Sequence, residues 1–368
     1  MLFRSKTGER KTVLLPLTAD SLGKASVAVA LTGPNGVNIE RSYSFQVEPA
    51  APNITRRSLD TLAAKTGSMR VSSDLVKDLI PETARVTVNA GPEAALDVPG
   101  LLLALDRYPL GCAEQTVSRA LPLLYLNEVA DSVGLAGENG AKERIQKAID
   151  RLALLQDSSG SFGLWSPGSS DLWLTAYVTD FLTRAQEKSY KIRSTVVETA
   201  LDRLKNSVNY TTEFQKGGES LAYALYVLAR SGRAVVGDLR YYVDEKLMNF
   251  ATPLAQAQLG AALAMYGDKE RAERAFGVAL DGIKPNPTPD VLATRTDYGS
   301  PLRDSAALLT LISETKMLPS RVPGVLQDVS RRRASNLFTS TQENAWLLLA
   351  AKSLIEESRG ATLEVDGR

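Results

Sequence analysis

The chain has 368 residues, 44% of them hydrophobic and 23% charged, which is enough for two or three domains. Its 43 basic side chains nearly balance 42 acidic ones, and the net charge of +1 argues against a nucleic-acid-binding protein, which normally carries a strong basic excess. A single cysteine excludes a framework of internal disulfides, and no apolar run has the length of a membrane span.

The first 96 residues have the patterns of β structure. Residues 27–31 alternate apolar with small side chains, a Gly-Pro-Asn-Gly turn follows at 33–36, and residues 39–47 alternate again. This pattern predicts a hairpin that ends a β-sandwich domain. A second short β region follows a Pro-containing linker, and its clearest predicted strand is Arg85–Val88.

From residue 97 to residue 357 the sequence predicts helices of a repeating kind. Six strongly apolar stretches, rich in Ala and Leu, alternate with amphipathic ones such as Ala141–Leu155 and Val196–Asn206. The apolar stretches begin near Thr116, Leu172, Leu221, Ala255, Asp304 and Glu343. The predicted fold is therefore mainly α: an α/α toroid of six helical hairpins, with a buried inner ring and a half-exposed outer ring, preceded by β-sandwich or CUB-like β segments.

The only cysteine, Cys112, lies three residues before Gln115 at the predicted start of a helix. Residues three apart share one face of a helix, so a thiolate at Cys112 can reach the side-chain carboxamide of Gln115. Attack on that carbonyl with loss of ammonia would close an internal thioester. A helix N-terminus is expected to lower the thiol pKa through its free N–H groups and dipole. A lone cysteine, however, is more often an inert buried side chain.

Neighbouring residues are expected to support this chemistry. Gly111 allows a close approach of the backbone, and Glu114 suits the helix dipole and could move a proton during closure or opening. Tyr108 is a candidate for the dry aromatic lining that a water-sensitive bond requires. Further candidates for this lining, each more typical of ordinary core packing, are Trp165, Tyr298 and Trp346.

Three sequence blocks resemble those of the alpha-2-macroglobulin and complement family. Residues 108–116 match every fixed position of its thioester signature in the usual bacterial form, Tyr-Pro-x-Gly-Cys-x-Glu-Gln-Thr. Ser340–Trp346 and residues 298–306 resemble two further blocks of that family, in the expected order. The resemblance covers about residues 50 to 368, and the first fifty more loosely.

This resemblance implies a domain organisation. Residues 1–50 would be part of a macroglobulin-type β-sandwich domain, and residues 51–96 the first part of a split CUB-like β domain. Residues 97–357 would be the thioester domain, and residues 358–368 the start of the second CUB-like part. We expect a piece of a longer protein that carries the reactive site without the bait region. Without its neighbours to cap the site, the thioester is expected to be largely hydrolysed or never closed.

The resemblance also implies a function: a broad-range protease inhibitor that traps attacking proteases through a thioester between Cys112 and Gln115. Such a trap reacts only once and is therefore not an enzyme. The chain has no histidine to take the acyl group first, so direct attack by target lysine amines is expected, with water as competitor. The expected partners are proteases and the remaining domains of the parent, with no nucleic acid, metal or cofactor. The low cysteine content and the bacterial form of the motif favour a periplasmic protein, whose relatives often carry a lipid anchor.

Two alternative interpretations remain open. The first is an enzyme, because α/α toroids also occur in terpene cyclases, prenyltransferases and glycosidases. The lack of histidine excludes a zinc prenyltransferase, and the absence of an Asp-rich motif argues against a terpene cyclase. Pairs of carboxylates that could serve a glycosidase are still possible. The second is a structural toroid whose cysteine and glutamine never react.

Overall fold

The computed structural model divides the chain into two compact units, Met1–Met69 and Arg70–Arg368. It describes residues 8–10, 12, 14–50, 54, 56, 67–80, 83–84, 86, 88, 96–107, 111–132, 140–168, 171–211, 214, 217–283, 295–336 and 338–357. The predicted domain start at 358–368 lies outside these described residues.

The first unit contains a two-stranded antiparallel hairpin. Strand β1 (Gly23–Thr32) pairs with strand β2 (Asn38–Val47) along its whole length. A short 3-10 turn at Pro34–Gly36 joins them, and within it Asn35 and Gly36 have φ values of 60° and 77°. Asn and Gly tolerate this left-handed conformation better than other residues, which explains the turn. The predicted hairpin is confirmed.

The second unit begins with a segment that the sequence predicted to be partly β. The described residues between 67 and 88 include a 3-10 turn at Ser73–Val76 and no strand. Of the predicted strand, Val86 and Val88 have no strand conformation, and Arg85 and Thr87 lie outside the described residues. The β prediction for this segment therefore finds no support in its described part.

From residue 96 onward, the described part of the second unit consists mostly of helices, which confirms the prediction of a mainly α fold. Their bounds are α1 Val98–Asp106, α2 Ala113–Ala120, α3 Asn127–Ser132, α4 Gly140–Ala153, α5 Leu172–Glu187, α6 Ser194–Tyr210, α7 Glu219–Arg230, α8 Val236–Glu245, α9 Pro253–Met265, α10 Lys269–Gly282, α11 Pro301–Thr315, α12 Val322–Ser335 and α13 Thr341–Glu357. The six predicted apolar stretches correspond to α2, α5, α7, α9, α11 and α13, and each helix begins within about three residues of its predicted start.

Local signals explain where several of these helices begin. Asp171, Thr252 and Ser300 precede α5, α9 and α11, and the side chain of each accepts a hydrogen bond from a backbone N–H of the first turn. Helix α7 follows Gly218, which has a φ of 75°. A Cβ at this glycine would approach Phe214 to 2.7 Å, so both backbone and space require glycine there.

The six apolar helices contact one another in cyclic order. Helix α2 packs on α5, α5 on α7, α7 on α9, α9 on α11, α11 on α13, and α13 on α2. The amphipathic helices α4, α6, α8, α10 and α12 each contact one or two members of this set. Helix α9 is buried at every position from Leu254 to Leu263, whereas α6 buries one face only, because its apolar residues recur every three to four positions.

Among the helices that the structure describes, none combines the length and the apolar character needed to cross a bilayer.

Candidate functional site

Cys112 and Gln115 meet at the start of α2. Cys112 is the N-cap residue with an extended backbone, and Gln115 is the third helical residue. The Gln115 side-chain oxygen Oε1 accepts a hydrogen bond from the Cys112 backbone N–H at 3.1 Å, while the Cys112 thiol faces the Gln115 backbone N–H. This reciprocal arrangement is a capping box with cysteine in the place usually taken by Ser or Thr. The structure therefore brings the predicted pair together.

The capping box has a chemical consequence for the Gln115 carboxamide. A hydrogen bond to Oε1 draws electron density toward oxygen and makes the carbonyl carbon a better electrophile. The same N–H can stabilise the negative oxygen of a tetrahedral intermediate formed by sulfur attack. One helical turn therefore both positions the nucleophile and polarises the group that it would attack.

The acidity of the Cys112 thiol differs from the sequence expectation. Only 5% of the residue is exposed, and this burial raises the pKa of the thiol. The backbone N–H groups of Gln115 and Glu114 lower the pKa, and the Glu114 charge raises it further. The expectation of a lowered pKa at a helix N-terminus is wrong here, because the loss of hydration outweighs the helix amides.

Glu114 points into the protein and is held by three side chains. Its carboxylate accepts hydrogen bonds from Ser118 Oγ at 2.6 Å, Thr341 Oγ1 at 2.9 Å and Gln342 Nε2 at 2.8 Å. Ser118 donates its proton to Glu114, so the Tyr177 hydroxyl, 2.9 Å from Ser118 Oγ, is the donor in that pair. The hydrogens of Ser118, Thr341 and Gln342 thus point toward the carboxylate of Glu114, a residue that is only 5% exposed. The geometry favours a positioning role for Glu114, tying α2 to α13, over the proton transfer considered from the sequence.

The other predicted supporting residues contribute less to the described site. A Cβ at Gly111 would meet the Arg151 guanidinium at 3.6 Å, an ordinary contact distance, so the expected close backbone approach is not observed. Tyr108 lies outside the described residues. Trp165 is 59% exposed, and Trp346 is buried in α13 as core.

Tyr298 is the predicted aromatic residue that lies near the pair. Partial burial raises the pKa of its phenol, and the charges of Asp171, Cys112 and Glu114 add to this increase. Its ring packs on Trp173, with centroids 5.1 Å apart, and about half of the residue is exposed. Tyr298 therefore forms a partly solvent-exposed edge of the site.

Four charged residues anchor the turn that carries Tyr298. Asp297 and Asp304 each form ion pairs with both Arg295 and Arg303, and all four side chains are more than nine-tenths buried. Burial opposes ionisation of Asp297, but Arg303 and Arg295 outweigh it and hold its pKa far below the usual range. The Tyr298 backbone has a φ of 52°, which is unusual for an aromatic residue and is tolerated because these ion pairs fix the turn.

A second capping box joins the starts of α11 and α13. Ser340 Oγ accepts from the Glu343 N–H at 3.1 Å, and Glu343 Oε2 accepts from the Ser340 N–H at 2.8 Å. The other carboxylate oxygen of Glu343 accepts from Ser300 Oγ at 2.6 Å. The start of α13 is thus fixed to α11 on one side and, through Thr341 and Gln342, to α2 on the other.

Sequence reasoning did not predict that Thr341, Gln342 and Tyr177 belong to the site. Thr341 lies 227 residues after Glu114, a separation that no local pattern bridges. The resemblance of the block Ser340–Trp346 was the one available signal. Among the described residues, no group of His, Cys, Asp or Glu side chains could hold a metal ion.

The site thus places a thiol and a carboxamide on one helical turn, where a hydrolase would pair a nucleophile with a general base. A family model described as the A-macroglobulin TED domain matches residues 89–275, about half of the chain. The chain belongs to this A-macroglobulin family. The resemblance found in its motifs is thereby confirmed.

Individual relatives agree with this assignment. Alpha-2-macroglobulin of Escherichia coli (strain K12) is 31% identical over 366 residues, which cover 94% of this chain and 22% of the relative. The native conformation of the Escherichia coli protein superposes with a TM-score of 0.71 at 28% identity, covering 90% of this chain and 22% of that one. Salmonella alpha-2-macroglobulin reacted with methylamine gives a TM-score of 0.68 at 29% identity, with 90% and 22% covered. The chain therefore spans about a fifth of the length of these relatives.

Proposed function

We propose that Cys112 and Gln115 form an internal thioester and that this chain is the reactive part of a protein that traps proteases covalently. The observation that carries the proposal is the capping box, in which the Cys112 N–H is bonded to the Gln115 carboxamide oxygen at 3.1 Å. Membership of the A-macroglobulin family supports it, as does the solved structure of a Salmonella relative after reaction with methylamine, a small amine nucleophile.

The proposed chemistry has two steps. In closure, the Cys112 thiolate attacks the side-chain carbonyl carbon of Gln115, and the amide nitrogen takes up a proton and leaves as ammonia. In capture, an uncharged lysine amine of the target attacks the same carbon, the carbon–sulfur bond breaks, and Cys112 leaves as thiolate. The amine loses its proton, the thiolate gains one, and an amide bond joins Gln115 to the target. The site is then spent, so the protein acts as an inhibitor that works once.

The architecture around this site is part of the proposal. The cyclic contacts of the six buried helices support an α/α toroid with α2, α5, α7, α9, α11 and α13 inside and the amphipathic helices outside. We retain residues 97–357 as the thioester domain, residues 1–50 and 51–96 as the β-rich segments before it, and residues 358–368 as the start of a further CUB-like part. We also retain a periplasmic location, partner domains of a longer parent, and proteases as targets.

The experiment is an intact mass measurement of freshly purified protein with and without methylamine, followed by peptide mapping across Cys112 and Gln115. Because the thioester is expected to be largely hydrolysed or never closed in this chain, only a fraction of the untreated protein should be lighter by one ammonia, and methylamine should convert that fraction to a free thiol and a methylamide on Gln115. In a longer form with flanking domains this fraction should increase. Gln327→Glu, on the exposed surface of α12, is the matched control for Gln115→Glu, which cannot release ammonia. An unchanged mass and an alkylatable Cys112, both here and in a longer form with flanking domains, would refute the proposal.

A further inference from the structure

A pocket of about 210 Å³ lies at the start of α7. Leu172, Phe214 and Leu221 supply its apolar walls, and Thr296 and Glu219 supply polar atoms. A pocket with apolar sides and one carboxylate suits an alkyl chain that ends in a cation.

Within the described part of the chain, no lysine or arginine forms an ion pair with the Glu219 carboxylate. Only 8% of the residue is exposed, and among the described residues its one hydrogen-bond donor is its own backbone N–H. Burial raises the pKa of its carboxyl, the charges of Asp297 and Asp304 raise it further, and Arg295 lowers it. Arg295, however, is already engaged, because it forms ion pairs with Asp297 and Asp304 at 2.9 and 2.8 Å. A buried carboxylate in this state gains most from a positively charged ligand.

The pocket is connected to the proposed thioester through two aromatic residues. Its wall residues Leu172 and Thr296 are one and two residues from Trp173 and Tyr298, whose rings pack against each other at 5.1 Å. Tyr298 in turn lies close enough to Cys112 for the sulfur to affect its phenol. Two residues of chain span roughly 7 Å, so a ligand in the pocket lies within about a side-chain length of the rings that border the site.

We propose that this pocket binds a lysine side chain of the captured protein, with its ammonium at Glu219 and its methylenes between Leu172, Phe214 and Leu221. The biological role of this subsite rests on the proposed function. The bound lysine is a neighbour of the attacking one, because an ammonium paired with a carboxylate has no free electron pair for nucleophilic attack. Its docking would hold a lysine-rich segment of the target at the thioester and raise the local concentration of amines there.

The test is equilibrium binding to the Cys112→Ala chain, in which no acyl transfer can occur. The probes are Nα-acetyl-lysine methylamide and the matching norleucine compound, which has the same carbon chain without the ammonium. The lysine probe should bind and the norleucine probe should not, with titration followed by NMR at the pocket residues. Glu219→Gln should weaken lysine binding by about tenfold or more, the usual worth of a charged contact. Glu270→Gln, an equal charge change on the exposed surface of α10, should leave it unchanged.

A pH series provides a second readout. A proton competes with the ammonium for the Glu219 carboxylate, so lysine binding should weaken as the pH falls through the raised pKa of this group. In Glu219→Gln this dependence should disappear. Equal binding of the lysine and norleucine probes, or unchanged lysine binding in Glu219→Gln, would overturn the proposal. If Glu219→Gln does not fold, the comparison of the two probes on the Cys112→Ala chain still decides.

The binding experiment on the pocket and the mass experiment on the thioester can fail independently of each other. Lysine binding with no thioester mass signature would remove the covalent trap and leave the subsite. A thioester that reacts with methylamine, without discrimination between the two probes, would leave the trap and remove the subsite.

Discussion

Replacing Glu114 by Gln tests whether the carboxylate at the start of α2 positions the reactive pair. The substitution keeps the size of the side chain and removes its charge. The three donors that point at this carboxylate come from Ser118, Thr341 and Gln342, at 2.6 to 2.9 Å. They would then meet a neutral amide, which accepts more weakly and adds hydrogens of its own.

The expected magnitude follows from these contacts. A hydrogen bond to a charged group contributes about 1.5 to 3 kcal/mol, and a neutral one about 0.5 to 1.5 kcal/mol, so each contact loses about 1 kcal/mol. Three contacts give about 3 kcal/mol, and the relieved desolvation of a buried charge offsets part of it. We expect Glu114→Gln to lower the free energy of unfolding by about 2 kcal/mol.

The positioning role predicts a second effect, on closure of the proposed thioester. If the first turn of α2 shifts even slightly, the Gln115 carbonyl moves relative to the sulfur, and misplacement of reacting atoms by about 1 Å can slow a reaction roughly a hundredfold. The assay combines urea denaturation with intact mass, which reports the fraction of chains that have lost ammonia. Glu143→Gln is the control, since Glu143 is a partly exposed residue whose ion pair with Lys147 contributes little.

The two readouts separate the possible outcomes. If Glu114→Gln loses no more stability than Glu143→Gln and closes the thioester to the same extent, the positioning argument is refuted. A loss of stability with unchanged closure would reduce Glu114 to a structural residue.

Other substitutions test single contacts. Thr341→Val should lower the free energy of unfolding by about 1.5 to 3 kcal/mol and reduce thioester closure, because the hydroxyl that donates to Glu114 is lost. Thr341→Ser keeps this hydroxyl and should restore closure in the mass assay. Gly218→Ala should destabilise the chain by about 2 kcal/mol in thermal melts, because a Cβ there is strained and meets Phe214 at 2.7 Å; Gly111→Ala should cost less than about 0.5 kcal/mol. In the open form, alkylation of Cys112 should rise to its plateau at a higher pH in the folded chain than in urea, because burial raises the thiol pKa; coincident profiles would contradict this.

The part of the site that sequence predicts well is the part that is local. Cys112 and Gln115 are three residues apart, so helical geometry alone brings them together once a helix begins at Ala113. The starts of α9 and α11 also carry a local signal, since Thr252 and Ser300 each precede a proline and cap the helix. The apolar pattern placed these starts two and three residues later, near Ala255 and Asp304, because it did not take the caps into account.

The features of the site that could not be predicted from the sequence are those that depend on tertiary packing. The partners of Glu114 come from α13, and only the folded chain brings Thr341 and Gln342 to the start of α2. The thiol pKa depends on competition between helix amides and burial, and the degree of burial at Cys112 cannot be read from its neighbours in the chain. From sequence alone, Glu219 would be predicted to lie on the surface, because the first turn of a helix is the usual place for an acidic side chain.

The burial of Cys112 also bears on how long a loaded site would last. A thiol with a raised pKa gives an unstable thiolate, and an unstable thiolate is a slow leaving group in acyl transfer. The buried surroundings of the sulfur would therefore slow hydrolysis of the thioester in the resting protein, without a further group to keep water away. A movement that let water reach the start of α2 would stabilise the departing sulfur and speed the reaction. Storage and release of the acyl group would then be governed by one variable, the hydration of a single sulfur atom.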